Sequence, residues 1–319
     1  MKVLVTGAVG ALGSHFAERC VQEGHEVFGV DALTPYYDPH LKRLTFEDIE
    51  KNGVTVIEQN LLSESLPEDI FIQADFIVHF AAQPGIASSV LLETYVENNI
   101  TATHRVLELA RKSNNLRGFI NISTSSVYGV NADGDEKVPA TPTSLYGVTK
   151  LAGEQLALSY FREYGLPVTS LRFFSVYGER ERPDKLYRKL IEAIAEGHAF
   201  PLYVGSEHHV RSYTYVQDII DGCMMVLNDF DKARGEIFNL GTDVTHTTGE
   251  GIALVEELLG KKALIEEKPP RTGDQKETRA HIAKMREVFG YNPTTTLREG
   301  LQKEVDWYLA IRDRLKGVQ

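Results

Sequence analysis

Val3-Leu4-Val5-Thr6-Gly7-Ala8-Val9-Gly10-Ala11-Leu12-Gly13 is the stretch that decides the fold of this chain. Residues 3–6 form a short apolar, β-branched run that reads as a strand, and residues 11–22 carry a helical pattern. The glycines therefore fall in a strand-to-helix turn, and that placement gives an otherwise weak pattern its meaning. Gly7 permits the tight turn, and Gly10 lets the backbone approach a pyrophosphate. Gly13 allows the helix to pack closely on the strand. Ala11 and Leu12 open the helix, whose N-terminus attracts negative phosphates. Asp31 closes the second strand-like run, 18 residues beyond Gly13. A carboxylate there accepts hydrogen bonds from an adenosine ribose and repels a 2′-phosphate. Strand, glycines, helix and acid in this order predict a site for NAD rather than NADP.

The pattern continues outward. Strand-like runs at 26–30, 54–58, 76–80, 118–123 and 168–174 alternate with helical stretches at 98–112 and 146–164. Val/Ile-rich strands alternating with helices predict an α/β fold, a doubly wound parallel sheet of Rossmann type covered on both faces. Beyond Phe174 the alternation weakens. Helical pieces are read at 185–196, 216–227, 248–259, 280–289 and 297–315, separated by turn-rich segments such as 268–274. The expected organisation is a cofactor-binding domain from residues 1–172 with 211–243, and a smaller mixed α/β lobe from 173–210 with 244–319.

Bulk properties narrow the function. The 319 residues hold 34 Lys and Arg against 45 Asp and Glu, a net charge of −11, which disfavours a nucleic-acid partner. An anionic small substrate would need local Arg or Lys groups. Cys20 and Cys223 are far apart with no Cys-x-x-Cys spacing, and no secretion signal or membrane-length apolar run is visible. The expectation is a cytoplasmic protein with reduced thiols and no membrane attachment. His208 and His209 are adjacent, a poor arrangement for one tetrahedral metal, and no metal site is expected. His79 reads as a hydrogen-bonded sheet residue. The basic run Arg180, Arg182, Lys185, Arg188, Lys189 reads as a solvated face apart from Arg182.

Tyr146 and Lys150 stand four residues apart on one helix and share a face. A neighbouring ammonium lowers a phenol's pKa from about 10, so Tyr146 is the candidate proton acceptor. Upstream, Ser123-Thr124-Ser125-Ser126 ends the fifth strand, where the Thr124 hydroxyl can bridge the phenol and a substrate oxygen. The glycine loop, Asp31, the Ala81-Ala82 turn, Thr124 and Tyr146/Lys150 together resemble the extended short-chain dehydrogenase/reductases acting on nucleotide sugars. Within that family the nearest likeness is to UDP-glucuronate 4-epimerases. It rests on Asp31-Ala32-Leu33-Thr34-Pro35-Tyr36-Tyr37-Asp38-Pro39-His40-Leu41-Lys42, on Ala81-Ala82-Gln83-Pro84-Gly85, and on Arg172-Phe173-Phe174-Ser175-Val176-Tyr177-Gly178 with Arg182-Pro183-Asp184.

The resemblance implies further cofactor contacts from Asn60, Leu61, Ala81, Ala82 and Asn99, with Lys150 on the nicotinamide ribose. It implies nucleotide contacts from Arg211, in Arg211-Ser212-Tyr213-Thr214-Tyr215-Val216-Gln217-Asp218, and from Arg271 with Asp274. Asn60 stands where the family usually has Asp, Ser175 replaces Thr, and Glu179 replaces Pro, placing a carboxylate near Arg182. A homodimer through the two long helices is also implied.

Ser125-Ser126 bears on reaction type. Related dehydratases have Asp-Glu at the corresponding positions, and uronate decarboxylases have Glu at the second. Neither serine titrates usefully, so the expected reaction is oxidation and reduction at sugar carbon 4. Ser125, Ser126, Ser175 and Arg182 are the expected carboxylate contacts. The competing readings are a neutral UDP-glucose/galactose 4-epimerase, a UDP-glucuronate decarboxylase, and a dinucleotide-sensing protein without chemistry.

Overall fold

The computed structural model describes residues 1–86, 89–270 and 275–316. Seven strands make one all-parallel sheet: β1 (Lys2–Thr6), β2 (Glu26–Asp31), β3 (Thr55–Glu58), β4 (Phe76–His79), β5 (Gly118–Thr124), β6 (Val168–Phe173) and β7 (Ile237–Leu240), in the order β7-β6-β5-β4-β1-β2-β3. The longer helices are α1 (Ala11–Gln22), α2 (Pro39–Lys51), α3 (Ala102–Arg111), α4 (Leu145–Tyr164), α5 (Leu186–Glu196), α6 (Val216–Asn228), α7 (Thr248–Leu259), α8 (Ala283–Phe289) and α9 (Leu297–Lys316).

The period-2 alternation of β1 explains the layering. Val3 and Val5 join a core with Phe16 and Cys20 of α1 and Ile219 and Cys223 of α6. Leu4 points the other way, into a core with Val106 and Ala110 of α3 and Ala157 and Tyr160 of α4. Strands covered on both faces must be apolar throughout, and all residues of β4, β5 and β6 are buried. The doubly wound reading is therefore correct.

Several elements lay outside the expected pattern. The strand β7 extends the sheet beyond β6, and α2 follows the second strand. The helix expected over 98–112 starts earlier, as an α-helical turn at Leu92–Val96, passes through a π-turn, Glu97–Thr101, and is α-helical again from Ala102. The helix expected from residue 280 starts at Ala283, because Glu277–Ala280 is a strand. That strand belongs to a second, four-stranded sheet ordered His246–Thr247, Val210–Arg211, Glu277–Ala280, Asn131–Gly134. One of its members thus comes from the first half of the chain, shortly after β5.

The order of the main sheet puts β4 on one side of β1 and β2 on the other, a reversal that opens a crevice at the carboxyl ends. Thr6 pairs with Val30 across one seam and His79 across the other, so Gly7, Asp31 and Phe80 emerge at the same edge. His79 is fully buried between Thr6 Oγ1 at 2.7 Å and Thr103 Oγ1 at 3.0 Å. Burial, with the nearby Lys150 charge, pushes its pKa down to about 3, which makes it a neutral tie between sheet and helix.

Candidate active site

The crevice opens into a cavity of about 1150 Å³. The glycine loop forms one end. Gly7 has φ +70°, and a Cβ on it would lie 2.7 Å from the Ala81 nitrogen; a Cβ on Gly13 would lie 2.2 Å from the Gly7 carbonyl oxygen. Only glycine allows this contact of strand, turn and helix. Gly10 caps α1 with no side-chain hydrogen bond and no acidic residue in the first turn. The N–H groups at that helix start thus lack intrahelical acceptors. A cradle without Cβ atoms, ending in orphan donors at a positive helix end, fits a dinucleotide pyrophosphate.

Asp31 borders the loop. Its Oδ2 accepts from Val9 N at 3.0 Å and its Oδ1 from Leu33 N at 2.9 Å, holding Leu33 at φ +46°. Lys42 donates to the Thr34 carbonyl at 2.7 Å and lies 4.8 Å over the Tyr37 ring, on the same wall. Burial holds the Lys42 ammonium below the usual lysine range, with Asp31 opposing. Asn60 Oδ1 accepts from Leu62 N at 2.8 Å, which sets the turn carrying Leu61.

Ser144 caps α4 through Gly147 N at 3.0 Å, so Tyr146 sits in the first turn and Lys150 in the second. A Cβ on Gly147 would meet the Ser126 carbonyl at 2.6 Å, a measure of how closely α4 abuts the Ser125–Tyr128 turn. Thr124 ends β5 and caps that turn through Ser126 N at 3.2 Å, and its side chain hydrogen-bonds the Tyr146 phenol.

The charge pattern differs from the expected one. Burial raises the Tyr146 pKa, and the Thr124 hydrogen bond and the Arg182 charge oppose it. Lys150 instead donates to the Ile122 carbonyl at 2.6 Å, and burial pushes its pKa down to about 8, with Glu154 opposing. The cation bearing on the phenol is thus Arg182, because Lys150 is drawn to the end of β5.

Arg182 forks both Nε and Nη2 onto Asp184, each at 2.9 Å, and stacks 5.5 Å from the Tyr36 ring. Glu179 is not the carboxylate beside it. Its Oε1 accepts from Tyr215 at 2.9 Å, and its carbonyl meets His15 at 3.0 Å. The basic run is a solvated face only in part, at the exposed Lys185 and Lys189. Arg180 forks onto Glu18 at 2.7 and 3.0 Å, and Arg188 is buried on Glu192 at 2.8 Å and over the Tyr308 ring at 4.3 Å. Ser175 sits at φ +31°, a conformation few L-residues adopt, and its Oγ lies 3.4 Å from Thr278 Oγ1. Arg211 reaches the Gln275 carbonyl.

One wall therefore gathers Gly7, Gly10, Ala11, Leu12, Gly13, Asp31, Asn60, Leu61, Ala81 and Ala82. The other gathers Thr124, Ser125, Ser126, Tyr146, Lys150, Ser175, Arg182 and Arg211. Asn99 is the exception: it lies behind the wall. Its amide accepts from Gln83 N at 2.8 Å and donates to Thr149 Oγ1 at 3.0 Å, so it fixes the loop after β4 rather than facing the cavity. Arg271 and Asp274 lie outside the described residues. Beneath the site is a clamp that the sequence barely signals. Arg172 forks onto Glu154 at 2.6 and 2.9 Å, both buried, and donates to Tyr128 at 2.8 Å, which donates to Asn239 at 2.8 Å. Glu154 is one helical turn past Lys150, and that spacing was its only visible clue.

Residues 3–241 match the NAD dependent epimerase/dehydratase family. The chain belongs to that family. Among its relatives, UDP-glucuronate 4-epimerase 6 of Arabidopsis thaliana is 37% identical over 341 aligned positions, covering 99% of this chain and 74% of that protein. The structure of UDP-glucuronic acid 4-epimerase from Bacillus cereus in complex with UDP-glucuronic acid and NAD superposes with a TM-score of 0.92 at 33% identity. It covers 98% of this chain and 100% of the other. A UDP-glucose 4-epimerase from Thermotoga maritima with UDP-glucose gives a TM-score of 0.86 at 30% identity, covering 99% and 100%. In this epimerase/dehydratase chain no described helix is long and apolar enough to cross a membrane, and no metal-ligand cluster occurs among the described residues.

Proposed function

We propose that the chain binds NAD and interconverts the carbon-4 epimers of a UDP-sugar, UDP-glucuronate and UDP-galacturonate. The observation that carries this reading is a single cavity holding Thr124, Tyr146 and Lys150 beside Ser125, Ser126, Ser175 and Arg182, with no carboxylate at 125 or 126. The relatives and structures named above support the cofactor and the uronate.

When bound, NAD would supply a hydride acceptor and donor for sugar carbon 4 and a positive ring that favours the tyrosinate. The chain supplies the rest. Tyr146 accepts the carbon-4 hydroxyl proton and later gives it back, a general acid–base role. Thr124 donates to the phenolate oxygen and so favours the charged form. Arg182 adds a positive charge from the sugar side. Lys150, anchored on Ile122, holds the nicotinamide ribose. Gly7, Gly10 and Gly13 seat the pyrophosphate, Asp31 the ribose, and Arg211 the substrate diphosphate. Residues 1–172 with 211–243 carry the cofactor, and 173–210 with 244–319 close on the sugar nucleotide.

The serines control the outcome as well as affinity. Oxidation at carbon 4 turns a uronate into a β-keto acid, which loses carbon dioxide when the breaking bond aligns with the carbonyl π system. Hydroxyl donors from Ser125, Ser126 and Ser175 hold the carboxylate near the carbonyl plane without supplying a proton, so the keto-sugar survives to be reduced from its other face.

Two further readings belong here. Leu145, Val148 and Tyr164 on α4, with Leu92 and Val96 before α3, are exposed apolar side chains that suit a homodimer seam. The two buried free thiols, Cys20 and Cys223, suit a reducing cytoplasm.

Incubation with UDP-glucuronate, UDP-glucose and UDP-N-acetylglucosamine, with products identified by NMR, tests the function. UDP-galacturonate from UDP-glucuronate is the expected result. Equal turnover of UDP-glucose removes the uronate reading, a pentose product makes the chain a decarboxylase, and no reduction of bound NAD makes it a sensor.

A further inference from the structure

Arg182 is the cation that the family resemblance implies for a sugar carboxylate, yet two of its three guanidinium nitrogens are committed to Asp184. Asp184 offsets much of the charge that Arg182 can present to an incoming carboxylate. One turn of chain further on, Lys185 donates its backbone N–H to the Arg182 carbonyl at 3.0 Å, which sets the two side chains on the same rim ahead of α5. Lys185 lines the cavity and is accessible from it, and its ammonium has no hydrogen-bond or ion-pair partner among the described residues. Its two nearest acids do not neutralise it. Asp184 is taken by Arg182. Glu181 is crowded against the buried Glu304, and burial raises Glu181 to about 7. The crowded cleft and the like charge of Arg182 hold the Lys185 ammonium below the usual lysine range, Glu181 and Asp184 opposing and Arg211 adding to the repulsion. An anion entering there relieves that repulsion.

We infer that Lys185 is the specificity-determining cation of this site, supplying the uncompensated positive charge that selects a sugar carboxylate, while Arg182, held by Asp184, orients it. This rests on the uronate reading proposed above. It assigns charge recognition to a side chain outside the arginine-serine set and makes discrimination against neutral sugars depend on it.

The test uses NAD-loaded protein and calorimetric binding of UDP, UDP-glucose and UDP-glucuronate to wild type, Lys185→Gln and Lys185→Arg. The expected result is a 10- to 100-fold weaker affinity of Lys185→Gln for UDP-glucuronate alone. UDP and UDP-glucose should stay within about threefold, and Lys185→Arg should restore discrimination. Unchanged UDP-glucuronate affinity in Lys185→Gln overturns the inference and leaves the uronate function standing. Equal weakening of all three ligands assigns Lys185 to the diphosphate and also overturns it. Wild type that binds UDP-glucose as tightly as UDP-glucuronate overturns the function and the inference together.

Discussion

Replacing Asp31 with alanine should exchange one cofactor preference for the other, and the local geometry gives the size of the effect. The carboxylate has two tasks. It accepts from Val9 N and Leu33 N, and it faces the cavity where a ribose hydroxyl would donate. A hydrogen bond to a charged acceptor contributes about 1.5–3 kcal/mol. At about 1.4 kcal/mol per tenfold, NAD should bind roughly 10- to 150-fold more weakly. NADP should gain, because removing the carboxylate ends repulsion of a 2′-phosphate. It also leaves the Lys42 ammonium, held on Thr34, lining that wall. The loop contribution has to be separated from the ribose contribution. Asp31→Asn keeps one acceptor oxygen for the backbone of Val9 or Leu33 and loses the charge, so its NADP gain should resemble that of alanine with a smaller loss of thermal stability. Titration of cofactor-stripped protein with each dinucleotide reads both affinities. A parallel fall for NAD and NADP would show Asp31 acting through Leu33 and the glycine loop alone. Affinities within twofold of wild type would remove Asp31 from the cofactor site.

Three further outcomes are expected. Tyr146→Phe should bind NAD normally and lose kcat by about 10²–10⁴, the range for a general base; turnover near wild type would place the base elsewhere. Lys150→Met should lose activity and yet stabilise the cofactor-free fold. With Lys150 at about 8 when folded against about 10.5 unfolded, the cost of keeping it charged below pH 8 is roughly 3 kcal/mol, less about 1 for the bond to Ile122. That advantage should shrink as pH rises from about 8 toward 10.5, because wild type then sheds the proton; urea unfolding at pH 7 and pH 10 checks the sign, and equal differences at both would refute it. Glu154→Ala strands the buried Arg172 charge and should cost about 3–5 kcal/mol in the same assay. A loss below about 1 kcal/mol would mean that Arg172 finds another partner.

The residues also show what a sequence reading can reach. The glycine loop, Asp31 and Tyr146/Lys150 were legible because each needs a residue type at a fixed place on a strand end or helix face. The strand β7 was not, since Asn239 interrupts its apolar run, although its amide is buried on Tyr128. The helix α2 was missed because nearly half of it is charged, with only Lys42 and Ile49 buried. Two-residue strands such as Val210–Arg211 and His246–Thr247 are too short to show a period. Charge pairing was the least legible. Arg182 had carboxylates at 179, 181 and 184 within reach, and only folding decides for Asp184. The expectation for Lys150 erred similarly, since spacing places two side chains on one face but not the carbonyl that one of them prefers.

The strand Asn131–Gly134 leaves the turn after Thr124 and is stitched register by register to Glu277–Ala280 of the second sheet. Glu277–Ala280 also pairs with Val210–Arg211. The linkage is mechanical. A rotation that carries the second sheet away from the first would pull on the chain seven residues beyond Thr124. Thr124 is the hydroxyl bonded to the Tyr146 phenol, so a displaced sheet takes away part of what favours the tyrosinate. On the proposed function, the nucleotide grip and the base would be coupled through this strand, and a loosened product would meet a weaker base.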